Sequence, residues 1–286
     1  MKENAWFLLA SVVLSAGRNI CSKKTAVDFA NKSQFFFSQS ALFFSAALLL
    51  MIFNLSAFCD VSVLTLIFGL VYGVLLVLSQ WMFTLSLKNG NTSVCTVIYS
   101  LGFILPTVSG ACIWNEDFTF FNFIGLALAL TVILFTIKKD EKQSKDKKSF
   151  VPFILVAMLS SGGLGIMQKV QQLSAVADQK AGFLIIAFLF AFLCSFIAFL
   201  FSKDAIKFNV KTVVLPSLTG MCFGGANLLN TVLAGRMKSA VFFPVQNIGT
   251  IILSALLGII FFKEKITLKT VIIIALGISV VAVFSI

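Results

Sequence analysis

The sequence predicts an all-α integral membrane protein of ten transmembrane helices, arranged as two inverted five-helix repeats. Three observations predict it. Hydrophobic residues make up 59% of the 286-residue chain and charged residues only 12%, roughly half the charged share of a soluble domain. So few charges cannot cover a water-exposed surface of this size, and the mean hydropathy is +1.04. The apolar residues also gather into stretches of about 20, the length a helix needs to cross a hydrocarbon core about 30 Å thick. Finally, the second half of the chain repeats the first in one ungapped register.

The spans read, in order, 5–23, 34–55, 62–87, 91–114 and 119–137, then 150–172, 181–202, 212–235, 239–262 and 267–285. The first could be taken for a signal peptide, because Met1–Gly17 holds a lysine, an apolar run and the small residues Ser15, Ala16 and Gly17. It is read as a retained helix, since the repeat requires five spans in each half. Span four carries Gly102, Pro106 and Gly110, and span eight Pro216, Gly220, Gly224 and Gly225, where helices pack closely or bend. The 33 phenylalanines are first of all lipid-facing and packing bulk. Connections are short, so sequence neighbours should pack antiparallel. The one strongly polar stretch, Lys138–Lys148, divides the chain near its middle and reads as a solvated linker. Residues 1–137 thus form the first repeat, 138–149 the linker and 150–286 the second repeat.

The repeat rests on a shift of 148 residues, which places Gly110 on Gly258, Glu116 on Glu264 and Thr119 on Thr267. Lys88 falls on Arg236, Leu126 on Ile274 and Leu128 on Leu276 in the same register. Each half holds an odd number of spans, so the second must enter the membrane from the opposite side. Inverted repeats of this kind are the architecture of many alternating-access carriers.

Other function classes are poorly supplied. The net charge is +11, but the lysines lie in gaps between apolar runs, where they set topology and meet lipid headgroups instead of nucleic acid. The six cysteines are scattered with no CxxC pair and read as small buried hydrophobes. Histidine is absent, which removes the commonest metal ligand and the usual general base. With no GxSxG, no intramembrane acid pair and no phosphate-binding glycine loop, an enzyme is not expected. Neither is a cofactor, nor the charge rings or filter loop of a channel.

Taken together, Pro106 to Gly110, Glu116, Thr119 and Gly125 in the first half, with Gly258, Glu264, Lys265, Thr267 and Gly277 in the second, form a pattern. It resembles the EamA-like branch of the drug/metabolite transporter superfamily. The resemblance implies ten helices in two five-helix repeats, and efflux of a metabolite. Departures are visible: the partner of Pro106 is Ser254, span nine has Pro244 early, and span one carries Arg18. The superfamily's small multidrug exporters place a glutamate in their first helix. None stands here, so proton-coupled export of cationic drugs is not expected.

Ionisable groups inside spans are functional candidates by default. All eleven acids lie at span ends or in connections, whereas Arg18 in span one and Lys169 in span six intrude. Either they attract an anionic or zwitterionic substrate, for which the guanidinium fork of Arg18 is suited, or they snorkel to the headgroups. Gln80 and Trp81 in span three, Tyr99 in span four, Asn227 and Asn230 in span eight, and Gln246 and Asn247 in span nine are further substrate-binding candidates, because amides and hydroxyls in hydrocarbon must find partners. The expected partners are a small molecule, such as an amino acid or organic anion, and the bilayer. The chain is expected to be a monomer or homodimer in the cell membrane. Sixteen lysines fall on one side of the ten spans and four basic residues (Lys2, Lys180, Arg236, Lys238) on the other; the positive-inside rule then places both termini outside.

Overall fold

A computed structural model describes residues 2–26, 31–54, 61–89, 98–137, 151–202, 204, 210–262, 275, 276 and 279. Nine α-helices occur among them: α1 (Lys2–Ala26), α2 (Lys32–Phe53), α3 (Val63–Asn89), α4 (Ile104–Trp114), α5 (Phe120–Ile137), α6 (Val151–Leu173), α7 (Lys180–Phe201), α8 (Val210–Arg236) and α9 (Ser239–Phe262). Short 3-10 turns precede α4 (Leu101–Phe103) and α7 (Ala177–Gln179), and no strand occurs among the described residues. Spans one to three and five to nine thus fall on helices to within a few residues. The described part of span four is helical from Ile98 onward. Most of span ten and all of the linker lie outside the described residues. Six helices (α1, α2, α3, α6, α7 and α8) are long and apolar enough to cross a membrane, while Ile98–Trp114 and Ser239–Ser254 are shorter apolar stretches. Trp6, Ile67, Phe196 and Leu200 are among the large apolar side chains exposed on the outside of the protein, as suits a hydrocarbon solvent.

The chain forms two compact units, the first from Met1–Val77 and Met167–Gly235, the second from Leu78–Ile166 and Arg236–Ile286. The boundaries fall inside α3 and α6 and at the C-terminal end of α8. The first unit takes one stretch from before the linker and one from after it, and the second takes the stretch that contains the linker and the C-terminal one.

In the first unit α2 and α7 pack antiparallel through phenylalanines. Phe37 meets Phe199 (5.6 Å between centroids), Phe43 meets Phe188 (6.4 Å) and Phe44 meets Phe192 (5.3 Å). Apolar burial gives no net drive between helices in lipid, so close approach and hydrogen bonds must hold them. Small residues supply the approach. On α8, a Cβ at Gly220 would overlap the Leu42 carbonyl oxygen, and one at Gly224 would lie 3.1 Å from that of Ala46, so α8 runs alongside α2 in the same direction. The Ser45 hydroxyl, which donates to the Ser217 carbonyl at 2.9 Å, ties the same pair. On α3, Gly69 lies against Phe183 and Ile186, and Gly73 against Ala187 and Phe190, so α3 runs parallel to α7. Helix α1 is antiparallel to α8: Ser11 bonds Asn230, Leu14 touches Gly225, and Gly17 faces Cys222.

In the second unit Gly102 abuts Met158 and Gly162, and Pro106 abuts Gly165, so α4 and the first part of α6 are parallel. Tyr99, Phe83, Met82 and Ile98 pack around the buried Ile154 and Ala157. Helix α9 packs on α4, the turn before it, and α5. The C-terminal end of α4 meets the start of α9, which sets these two helices antiparallel. There Asn115 adopts the left-handed conformation (φ 49°), tolerated best by Gly and Asn, and the Glu116 N–H donates to the Gly110 carbonyl at 3.1 Å. The Glu116 carboxylate then accepts the Ser239 N–H at 2.6 Å. This charge sits on the unsatisfied N–H groups and positive dipole end of α9, where an anion is stabilising. A side chain at position 110 would strike Glu116 and Ser239, which accounts for the pairing of Gly110 with Glu116 in the sequence.

Candidate functional site

The first unit holds a polar cluster in the midst of apolar helices. Tyr72 from α3 is 0% exposed, and its hydroxyl donates to the Asn227 Oδ1 of α8 at 2.6 Å. Gln168 of α6 donates its Nε2 to the Tyr72 hydroxyl at 2.8 Å and to the Asn227 Oδ1 at 3.2 Å. Asn227 in turn donates its Nδ2 to the Phe223 carbonyl at 2.8 Å, one helical turn earlier. Three helices therefore converge on a single amide oxygen, and the groups involved are neutral donors and acceptors. One turn further along α8, Asn230 accepts a hydrogen bond from Ser11 of α1.

Two cations accompany this network. Arg18 places its guanidinium carbon 4.0 Å from the centroid of the Phe223 ring, and that ring edges against Phe188 at 5.6 Å. Phe223 stands near the middle of α8, so the Arg18 side chain is directed onto the helix beside it and not outward along α1. Lys169, next to Gln168, is 4% exposed. The described acids of this unit, Glu3, Asp178 and Asp204, are all exposed.

The expected site residues thus divide. Arg18, Lys169, Asn227 and Asn230 belong to the first unit, and Gln80, Trp81, Tyr99, Gln246 and Asn247 to the second. In the second, Tyr99 shares a hydrogen bond with Ser79 (2.9 Å) and stacks at a tilt on Phe83 (4.5 Å). Gln80 and Gln246 are buried, Trp81 and Asn247 half-buried. Asn247 donates to the Phe243 carbonyl at 2.9 Å. Three participants in the first cluster escape the sequence reading: Tyr72, Gln168 and Ser11. A signal for Tyr72 was present. It is one of two tyrosines in a chain with 33 phenylalanines, and a phenol hydroxyl within a span requires a partner. Both tyrosines have one. No metal-binding cluster of cysteine and acidic side chains occurs among the described residues.

The profile of a family described as sugar transport protein matches residues 24–286. No curated protein matches the sequence. One solved crystal structure superposes with a TM-score of 0.80 over 99% of this chain and 96% of its own, at 13% sequence identity. At that identity the likeness concerns the fold alone.

Proposed function

The chain belongs to the sugar transport protein family, and we propose that it is a secondary carrier that moves a small hydroxylated metabolite of the monosaccharide class across the cell membrane by alternating access. Family and apolar helical fold together make it a membrane transporter. The observation that carries the substrate class is the Tyr72–Gln168–Asn227 network. Amides and a phenol hydroxyl each both donate and accept, as sugar hydroxyls do. A sugar can therefore exchange hydrogen bonds with this network without leaving a buried polar group unpaired, the condition for low-cost binding in an apolar site. Arg18, Lys169 and Asn230, in the same unit, are proposed as further substrate contacts.

The packing supports an inverted repeat. The 148-residue register pairs α2 with α7 and α4 with α9, and both pairs are antiparallel. It also carries Leu42 onto Phe190 and brings Gly73 within one residue of Gly220. The contact of Gly220 with Leu42 thereby corresponds to that of Gly73 with Phe190. Two such halves, related by inversion, are the usual basis of alternating access. Membership of the EamA-like branch, multi-pass residence in the cell membrane and a nonenzymatic role all belong to this reading. Every acid lies at a span end or in a connection, which favours facilitated diffusion or exchange over proton antiport.

The test is counterflow in proteoliposomes with labelled monosaccharides, amino acids and organic acids. Saturable sugar counterflow that falls in Asn227→Ala is the expected result. Counterflow restricted to amino acids would replace the substrate class and keep the carrier. No counterflow of any compound, in protein that elutes as a single folded species, would overturn the proposal.

A further inference from the structure

Helix α2 turns one buried stripe toward α7 and α8. Phe35, Leu42, Phe43 and Ala46 fall on it at helical spacing, and all four are buried. Leu42 and Ala46 meet the glycines of α8, and Phe43 meets Phe188 of α7. Gln39 stands in the same stripe, three residues before Leu42 and four before Phe43. It is 5% exposed, and its Oε1 has no hydrogen-bond donor among the described residues. A buried acceptor left unpaired is destabilising, and an apolar side chain of similar volume would remove that penalty without loss of packing. Packing alone therefore does not account for an amide at this position. The carrier's task does: one turn along α2, Phe43 leads through Phe188 to Phe223, whose carbonyl holds the Asn227 side chain.

Resting on the monosaccharide reading above, we infer that Gln39 is a further substrate-binding residue, whose Oε1 accepts a hydrogen bond from one hydroxyl of the carried sugar. The stranded atom is a neutral acceptor, so the group that completes it is a donor, which a sugar hydroxyl is. Gln39 differs in this from Tyr72, Gln168 and Asn227. Those three are already bonded to one another and can only exchange bonds with a sugar. Gln39 gains a bond outright when the sugar arrives. A site built to bond a substrate hydroxyl rejects the analogue that lacks it, because its own polar group is then left unpaired. Gln39 thereby selects which pattern of hydroxyls is carried.

The experiment compares the wild type with Gln39→Met and Gln39→Leu, each as the full chain. Thermal unfolding in detergent without sugar is measured first, then counterflow of labelled glucose, galactose and mannose in proteoliposomes. Both variants should unfold no earlier than the wild type, because each removes a stranded acceptor and keeps the volume filled. Their KM for the sugar carried should nevertheless rise roughly three- to tenfold, the effect of one hydrogen bond. Among the monodeoxy analogues of that sugar, one should compete severalfold worse than the parent in the wild type and equally well in both variants. Earlier unfolding of both variants, or failure of both to fold, would show that the amide has a structural partner and would overturn the inference. Unchanged KM would overturn it as well and leave the sugar carrier standing. Absence of counterflow of any of the three sugars in the wild type would overturn the monosaccharide reading, and this inference with it.

Discussion

Tyr72→Phe isolates the polar network with the least change in shape. The substitution removes one oxygen from a residue that is fully buried and leaves the ring, which packs edge-on against Phe183 at 4.9 Å. Two hydrogen bonds vanish, the 2.6 Å bond to Asn227 and the 2.8 Å bond from Gln168. Interhelical hydrogen bonds within membranes contribute about 0.6 kcal/mol on average and at most about 1.7. Two of them bracket the loss at roughly 1–3 kcal/mol. The Gln168 amide retains its 3.2 Å contact with the Asn227 oxygen, so no buried donor is stranded, and the lower end, about 1 kcal/mol, is expected. Thermal unfolding in detergent measures the stability, and counterflow over a range of sugar concentrations measures KM. Stability should fall by that amount, and KM should rise severalfold because a substrate partner has gone. Unchanged stability and unchanged KM would refute the network as drawn. Lost stability with an unchanged KM would leave it as helix–helix glue and remove it from the substrate site.

The remaining predictions concern the frame around the site. Gly220→Ala forces a Cβ into the Leu42 carbonyl, a backbone atom with no freedom to move aside, and should cost about 1–3 kcal/mol in detergent unfolding. Gly225→Ala meets only the tip of Leu14 and should lose much less in the same assay. A cysteine at position 17 would have its Cβ 3.5 Å from the Cys222 sulfur, close to disulfide geometry. Gly17→Cys should therefore oxidise to a bond between α1 and α8, seen as one linked peptide by mass spectrometry and absent when Cys222 is replaced by serine. Asn115→Val places a β-branched residue at φ 49° and should lower the unfolding free energy by about 1–3 kcal/mol. Asp117→Asn removes the 3.0 Å pair with Lys238, whose side chains are 85% and 53% exposed; it should leave the melting temperature unmoved.

The helical architecture was legible because bilayer thickness fixes the length of each apolar run. The short connections then predicted the antiparallel and parallel directions that α2, α7, α8 and α1 adopt. Less legible was which polar groups meet. Asn227 stood out as an amide in a span, but its partners lie 59 and 155 residues away in sequence. No local periodicity links positions so far apart. Gln168 was overshadowed by the charge of Lys169 beside it. The role of Glu116 was half visible: its spacing from Gly110 marked a motif, yet the recipient, Ser239, begins a helix that is remote in sequence. The sequence also left open whether Arg18 snorkels to the headgroups, because it does not show what the neighbouring helices present to that side chain. What decides the direction of that side chain is the aromatic ring presented by α8.

Energetics explain why that ring matters. An arginine within a spanning helix costs at most about 2.5–3.5 kcal/mol on insertion scales, the value for the helix centre. A desolvated cation–π contact returns about 2 kcal/mol. The Phe223 ring, 4.0 Å from the guanidinium carbon, therefore offsets most of that cost. By this argument Phe223→Leu should lower the unfolding free energy in detergent by up to about 2 kcal/mol, and Phe223→Tyr, which keeps the aromatic face, should lose less. A leucine variant that unfolds with the wild type would show that the ring is not what holds the arginine against α8.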